Sequence, residues 1–114
     1  MSIPASAVFE DDSHLDEMSE NAKLATAFLK ALGHEGRLMI LCYLASGEKS
    51  VTALEDLLSL RQPAVSQQLA RLRSDNIISA RRDGKTIYYS ISDERARRMM
   101  ELVYEMFCEN TPKD

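Results

Sequence analysis

The run from Thr52 to Ile91 constrains this chain most, because it changes periodicity twice within forty residues. Thr52 with Glu55 three residues on reads as a capping box ahead of the apolar Leu54, Leu57 and Leu58. Leu60-Arg61-Gln62 breaks that pattern, and Pro63 suits the first turn of a new helix, where its missing N–H would have no partner anyway. The second helix is expected from about Gln62 to Asp75. Val65, Leu69 and Leu72 fall on one face, with Ala64, Gln67, Gln68, Arg71 and Ser74 on or near the opposite one. Ile77 to Arg82 and Thr86 to Ile91 are β-branched and aromatic runs on either side of Asp83-Gly84, the signal of a tight hairpin whose tip carries Arg81, Arg82 and Lys85. Helix, turn, helix and charged hairpin in this order predict a winged helix-turn-helix.

Charge separates a merely polar surface from a nucleic-acid face. The whole chain is acidic, with 14 Lys and Arg against 18 Asp and Glu, a balance that taken alone argues against DNA. Its distribution argues the other way. Glu10, Asp11, Asp12, Asp16, Glu17 and Glu20 crowd the first twenty residues, where there is no base. From residue 61 to 98, Arg61, Arg71, Arg73, Arg81, Arg82, Lys85, Arg95, Arg97 and Arg98 face only Asp75, Asp83, Asp93 and Glu94. A stripe of this kind is an electrostatic footprint for phosphates. Gln62, Ser66 and Gln67 are the candidate groove readers, because amides and hydroxyls read base edges. Arg71, Arg81, Arg82 and Lys85 are the candidates for phosphates or the minor-groove edge.

The remaining segments are helical. Met18, Ala22, Ala25, Leu29 and Leu32 step by four and three from Asp16 to Leu32, the spacing of a helix that packs along a partner, and Gly33 ends it. Glu35 to Ala45 forms another helix, with Leu38, Leu41, Cys42 and Ala45 on one face and Gly47 beyond its end. Ser92 caps a last helix with Asp93 and Glu94 in its first turn. The stripe Met99, Leu102, Val103, Met106 and Phe107 on that helix is either core or, with the first helix, a symmetric dimer contact. The expected fold is therefore mainly α with a small β-hairpin, in the order α-α-α-α-β-β-α. Residues 1–14 read as a mobile acidic arm, 15–110 as one domain and 111–114 as a tail. At 114 residues and 45% apolar content the core is modest, and dimerisation helps a domain of this size. With no leader and no long apolar run, a cytoplasmic protein without a membrane partner is expected. No nucleophile–base pair, phosphate loop or carboxylate pair supports an enzyme.

These residues carry a resemblance. Ala31-Leu32-Gly33-His34-Glu35-Gly36-Arg37-Leu38 resembles the opening of the ArsR/SmtB bacterial repressors, Gln62-Pro63-Ala64-Val65-Ser66-Gln67-Gln68-Leu69 with Leu72-Arg73 resembles their recognition helix, and Arg81-Arg82-Asp83-Gly84-Lys85-Thr86-Ile87-Tyr88-Tyr89 is similar to their wing. The match spans roughly residues 15 to 108. It implies a homodimer joined through the first and last helices that binds double-stranded operator DNA at an imperfect palindrome.

Family resemblance leaves the sensed signal open. The branches that sense arsenic, lead or cadmium carry a cysteine pair on the helix that here runs from Thr52 to Leu58, and this helix has none. The zinc and nickel branches place Asp and His along the last helix, whereas Asp93 is followed by Arg95 with no histidine downstream. Neither His14 nor His34 reads as a ligand, His34-Glu35 lacks the second histidine of a zinc-protease motif at Leu38, and no metal or other cofactor is expected. Cys42 and Cys108 resemble the two cysteines of the thiol-based persulfide sensors, the SqrR/BigR-like branch. That resemblance implies a repressor released by reactive sulfur species or oxidants when Cys42 and Cys108 are crosslinked through a di- to tetrasulfide, controlling sulfide-detoxification genes. Read from the residues alone, Cys42 on an apolar face is equally a packed core residue. A metal- or metalloid-responsive repressor holding its ion between Cys42 and Cys108 is the alternative.

Overall fold

The computed structural model describes residues 15–58 and 62–109, with the side chains of Gln62, Pro63 and Glu109 outside the description. The expected arm 1–14 with His14, the interhelical Leu60-Arg61 and the tail 111–114 also lie outside it. In chain order the elements are α1 (Leu15–Leu32), α2 (Glu35–Ala45), β1 (Lys49–Ser50), α3 (Val51–Leu58), α4 (Gln62–Ser74), β2 (Ile78–Asp83), β3 (Thr86–Ile91) and α5 (Glu94–Tyr104), which runs on into one wider turn of π-helix at Glu105–Glu109. Among the described residues the fold is the expected one, five helices and an antiparallel hairpin, with one addition. β1 pairs with β3 as Lys49↔Tyr89 and Ser50↔Tyr88, so the hairpin becomes a three-stranded sheet in the order β1-β3-β2.

The backbone divides into two units, one ending at Lys30 and one beginning at Ala31. In the first, most of α1 stands exposed: Leu15, Leu24 and Leu29 each show more than half of their surface. In the second, α2 is the hub and packs against α3, α4, α5 and β3. Ile40, Leu41 and Leu44 on α2, Leu54 on α3, Val65, Leu69 and Leu72 on α4, Ile77 and Met100 are all essentially inaccessible to water. Among the described residues no buried polar side-chain atom lacks a partner.

Four local expectations are corrected. The cap of α3 is Ser50, whose Oγ accepts the Ala53 N–H at 3.1 Å, and not Thr52. Pairing with Tyr88 holds Ser50 extended, the conformation an N-cap needs, two residues before Thr52. The hairpin loop is Gly84-Lys85, because Asp83 still pairs with Thr86. Gly84 takes φ +65, which suits the first position of a two-residue hairpin loop. The cap of α5 is Asp93, which accepts from the Arg95 N–H at 2.8 Å. Ser92 is already spent, with its N–H and its hydroxyl both directed at the Ile77 carbonyl. Finally, Cys42 is exposed and does not belong to the core face of α2, which turns Ile40, Leu41 and Leu44 inward instead.

Candidate functional site

α4 is seated from below and held from the side. Val65, Leu69 and Leu72 anchor its inner face, while Ala64, Gln67, Arg71 and Ser74 remain exposed as their spacing predicts. Ser66 is half-buried. Gln68 departs from the expected outward face: its Oε1 accepts from Arg37 Nη1 at 3.1 Å, and Arg37 Nε donates to the Ala31 carbonyl at 2.6 Å. Arg37 therefore ties the start of α2 to the middle of α4. His34 caps α2 beside it, with Nδ1 accepting from the backbone of Gly36 and Arg37. At Gly36 an added Cβ would stand 3.2 Å from the His34 ring and 3.8 Å from Gln68, so a larger residue would crowd this junction. Arg37, Gln68 and Gly36 as fasteners of α4 were not legible, since the Arg37–Gln68 contact joins positions 31 residues apart.

α4 ends in a defined stop. Asn76 adopts φ 60, the Asn76 N–H donates to the Arg73 carbonyl at 2.9 Å and the Ile77 N–H to the Leu72 carbonyl at 3.0 Å. This is the Schellman pairing, with buried Leu72 and Ile77 in its hydrophobic positions. It fixes how β2 leaves the recognition segment.

The basic stripe is partly neutralised within the fold. Arg71 pairs with Asp75 at 2.8 Å, Arg95 with Asp93 at 2.7 Å and Arg97 with Glu94 at 3.8 Å. Arg81 forms a two-pronged pair with Glu48, Nε and Nη2 donating at 2.8 and 2.6 Å, and its guanidinium lies 4.8 Å from the Tyr88 ring centre. Arg81 holds the Glu48 carboxyl below its usual range, mainly through this hydrogen bonding. Glu48 thus joins the α2–β1 turn to the wing, a link no local pattern announces. Arg73, Arg82, Lys85 and Arg98 are exposed, and among the described residues no ion pair holds them.

A second site lies on the other side of α2. Cys42, Tyr43 and Ala45 of α2, its C-cap Ser46, and Met100, Glu101, Tyr104, Glu105 and Cys108 of α5 and its terminal turn line one groove of about 650 Å³. The two cysteines, sixty-six positions apart in sequence, are both exposed free thiols here. Cys42 Sγ donates to Met100 Sδ at 3.9 Å. Desolvation, and then the charge of Cys108, push the Cys42 thiol above its ordinary value of 9.0. Next to Cys42, Tyr43 reaches the other way, its hydroxyl donating to the Leu57 carbonyl of α3 at 3.4 Å. Past Met100 the outer face of α5 is apolar and open, with Leu102, Tyr104, Met106 and Phe107 exposed.

A recognition helix with an exposed polar face, backed by a three-stranded wing carrying free cations, defines a winged helix-turn-helix DNA-binding protein. The chain belongs to the arsR family: residues 34–80 match the description "Bacterial regulatory protein, arsR family", and the relatives extend the likeness well beyond that segment. The biofilm growth-associated repressor of Agrobacterium fabrum is 44% identical over 82% of this chain and 80% of its own. The transcriptional activator HlyU of Vibrio cholerae is 40% identical over 84% of this chain and 89% of its own. In its reduced form HlyU superimposes with a TM-score of 0.80 over 82% of this chain and 98% of its own. The transcriptional repressor BigR of Xylella fastidiosa, 37% identical, does so with 0.76 over 83% and 97%. This chain is accordingly a transcriptional regulator of the arsR family, the class of DNA-binding protein to which its relatives belong. Among the described residues no helix is long and apolar enough to cross a membrane.

Proposed function

We propose that the protein is a dimeric cytoplasmic repressor that leaves its operator when Cys42 and Cys108 are crosslinked by reactive sulfur species. The observation that carries this reading is the shared groove, in which two exposed thiols on different helices stand close enough for one to raise the pKa of the other. A sulfane-sulfur donor converts one thiol to a persulfide. Attack by the second thiolate on its protein-bound sulfur closes a disulfide and expels hydrosulfide, which carries off the two electrons the thiols lose. When both cysteines are persulfidated, the same displacement gives a trisulfide and one hydrosulfide. A direct disulfide needs α-carbons within about 7 Å, and each added sulfur relaxes that limit.

Crosslinking pins α2 to α5. Because α2 is also the support of α3 and α4, and Tyr43 beside Cys42 holds the Leu57 carbonyl, a shift of α2 moves the recognition helix. In a dimer on a palindrome, half-site spacing tolerates little such movement. The dimer is proposed to form through the exposed apolar side chains of α1 and of α5, with Leu24, Leu29, Leu102 and Met106 among them. On DNA, Gln62, Ser66 and Gln67 of α4 read base edges of an imperfect palindrome, Arg71, Arg82 and Lys85 meet phosphates, and Arg81 keeps the wing in place through Glu48. The regulated genes, following the resemblance to the persulfide sensors, are those of sulfide detoxification.

Operator release tests the reading. Cys42→Ser and Cys108→Ser are each expected to stay on operator DNA after a persulfide donor has released the parent, because one thiol cannot close a bridge. Release of either variant at the parent's donor concentration would eliminate the two-cysteine mechanism.

A further inference from the structure

The groove holds a third sulfur that crosslinking does not use. Met100 Sδ lies 3.9 Å from Cys42 Sγ, on the opposite wall from α2, and Cys108 lines the same cleft. A thioether has no proton to lose and cannot enter a di- or trisulfide. Met100 is also 1% exposed, so the core fixes its position before any ligand arrives. Met100 is nonetheless one of the residues that line the groove, with its sulfur against Cys42.

Two thiols and a thioether form a soft donor set. Thiolate and thioether ligands select Cu(I), whereas harder divalent ions prefer imidazole, carboxylate and water. Glu101 and Glu105 also line the groove, but among the described residues no three His, Cys, Asp or Glu side chains gather into a group that could hold a metal. The spacing also fits. With metal–sulfur bonds of about 2.3 Å, sulfurs at the corners of a trigonal site stand about 4.0 Å apart. The Cys42–Met100 separation is already that of two ligands to one ion.

We propose that the reduced groove binds one Cu(I) ion through Cys42 Sγ, Cys108 Sγ and Met100 Sδ. The ion enters as Cu(I), and two thiol protons leave as the two Cu–thiolate bonds form. No electron moves, and the three-sulfur centre carries one negative charge. Affinity rises with pH as those protons become easier to remove. A thiolate committed to copper does not attack a persulfide, so the loaded protein is protected from crosslinking. The site uses the same cysteines as the proposed switch but does not depend on their ever being joined.

The test is an anaerobic titration of the dithiol protein with Cu(I) against bicinchoninate as competing chelator, followed by the thiolate-to-copper charge-transfer absorption. One equivalent per chain is expected. Met100→Leu is expected to weaken binding by at least about tenfold, the loss that follows even when only a ligand's neighbour is removed. Met39→Leu, an exposed methionine of α2 outside the groove lining, is expected to bind as the parent does. Met100→Leu keeps both cysteines, so its donor-induced crosslink, read by intact mass, reports separately on the switch and on folding. Copper held as tightly by Met100→Leu as by the parent, or stripped entirely from the parent by the chelator, would overturn the three-sulfur site.

Discussion

Asn76 and Cys42 each occupy a position whose chemistry is set by one backbone angle or one neighbour. At φ 60, Asn76 is in the left-handed region, where Asn and Gly are tolerated and a β-carbon without a local hydrogen bond is not. Asn76→Ala is expected to lower stability by about 1–2 kcal/mol in urea unfolding, and Asn76→Gly to leave it nearly unchanged. Equal losses in the two variants would mean that the side chain, not the angle, matters there. For Cys42 the sign runs through the thiolate. Partial desolvation beside α5 and then the charge of Cys108 disfavour it, so the pH at which Cys42 alkylates half-maximally is expected to lie above that of a free thiol. Cys108→Ser removes only the second cause, and the midpoint is expected to fall while staying above that of a free thiol. A midpoint indifferent to Cys108 would show that the two sulfurs do not sense each other in solution.

The elements divide into those whose pattern is local and those held by distant partners. α2 was legible to the residue, and α4 nearly so, because Val65, Leu69 and Leu72 give an unbroken inner face and Pro63 marks its first turn. β1 was not legible: two residues, Lys49-Ser50, carry no alternation, and only pairing with Tyr88 and Tyr89 makes them a strand. The caps of α3 and α5 shifted for the same reason, since the neighbours of Ser50 and Ser92 lie across the fold. The wing shows what this means for function. Arg81, Arg82 and Lys85 look alike in sequence, yet Arg81 is held by Glu48 while Arg82 and Lys85 project freely among the described residues. Arg82→Ala is therefore expected to reduce the slope of log affinity against log salt by about 0.9, the share of one phosphate. Arg81→Ala and Glu48→Gln are expected to weaken operator binding alike and leave that slope in place. A slope reduced by Arg81→Ala as much as by Arg82→Ala would put Arg81 on the DNA instead.

At the scale of the whole molecule, the proposed recognition and sensing sites share one support. α2 carries Cys42 on one side and braces α3 and α4 on the other, so a bond made in the groove would act on the helix proposed to read DNA. The candidate DNA face was readable from charge and spacing, and the two cysteines from their resemblance to sensing pairs. That Cys42 turns outward, and that Met100 stands against it, came only with the packing of α2 on α5. The open apolar face of α5 makes a parallel prediction: Met106→Glu is expected to shift the protein to monomer in light scattering and to abolish palindrome binding, whereas a dimer undisturbed by that charge would place the interface elsewhere.

The most direct measurement combines intact mass and operator anisotropy on one sample during exposure to a persulfide donor. Loss of DNA is expected to track the appearance of an intramolecular bridge between Cys42 and Cys108, its mass at or above that of the simple disulfide by whole sulfur atoms, and both are expected to reverse on reduction. Full release from DNA while both cysteines remain unbridged, or a fully bridged protein still bound to its operator, would contradict the mechanism.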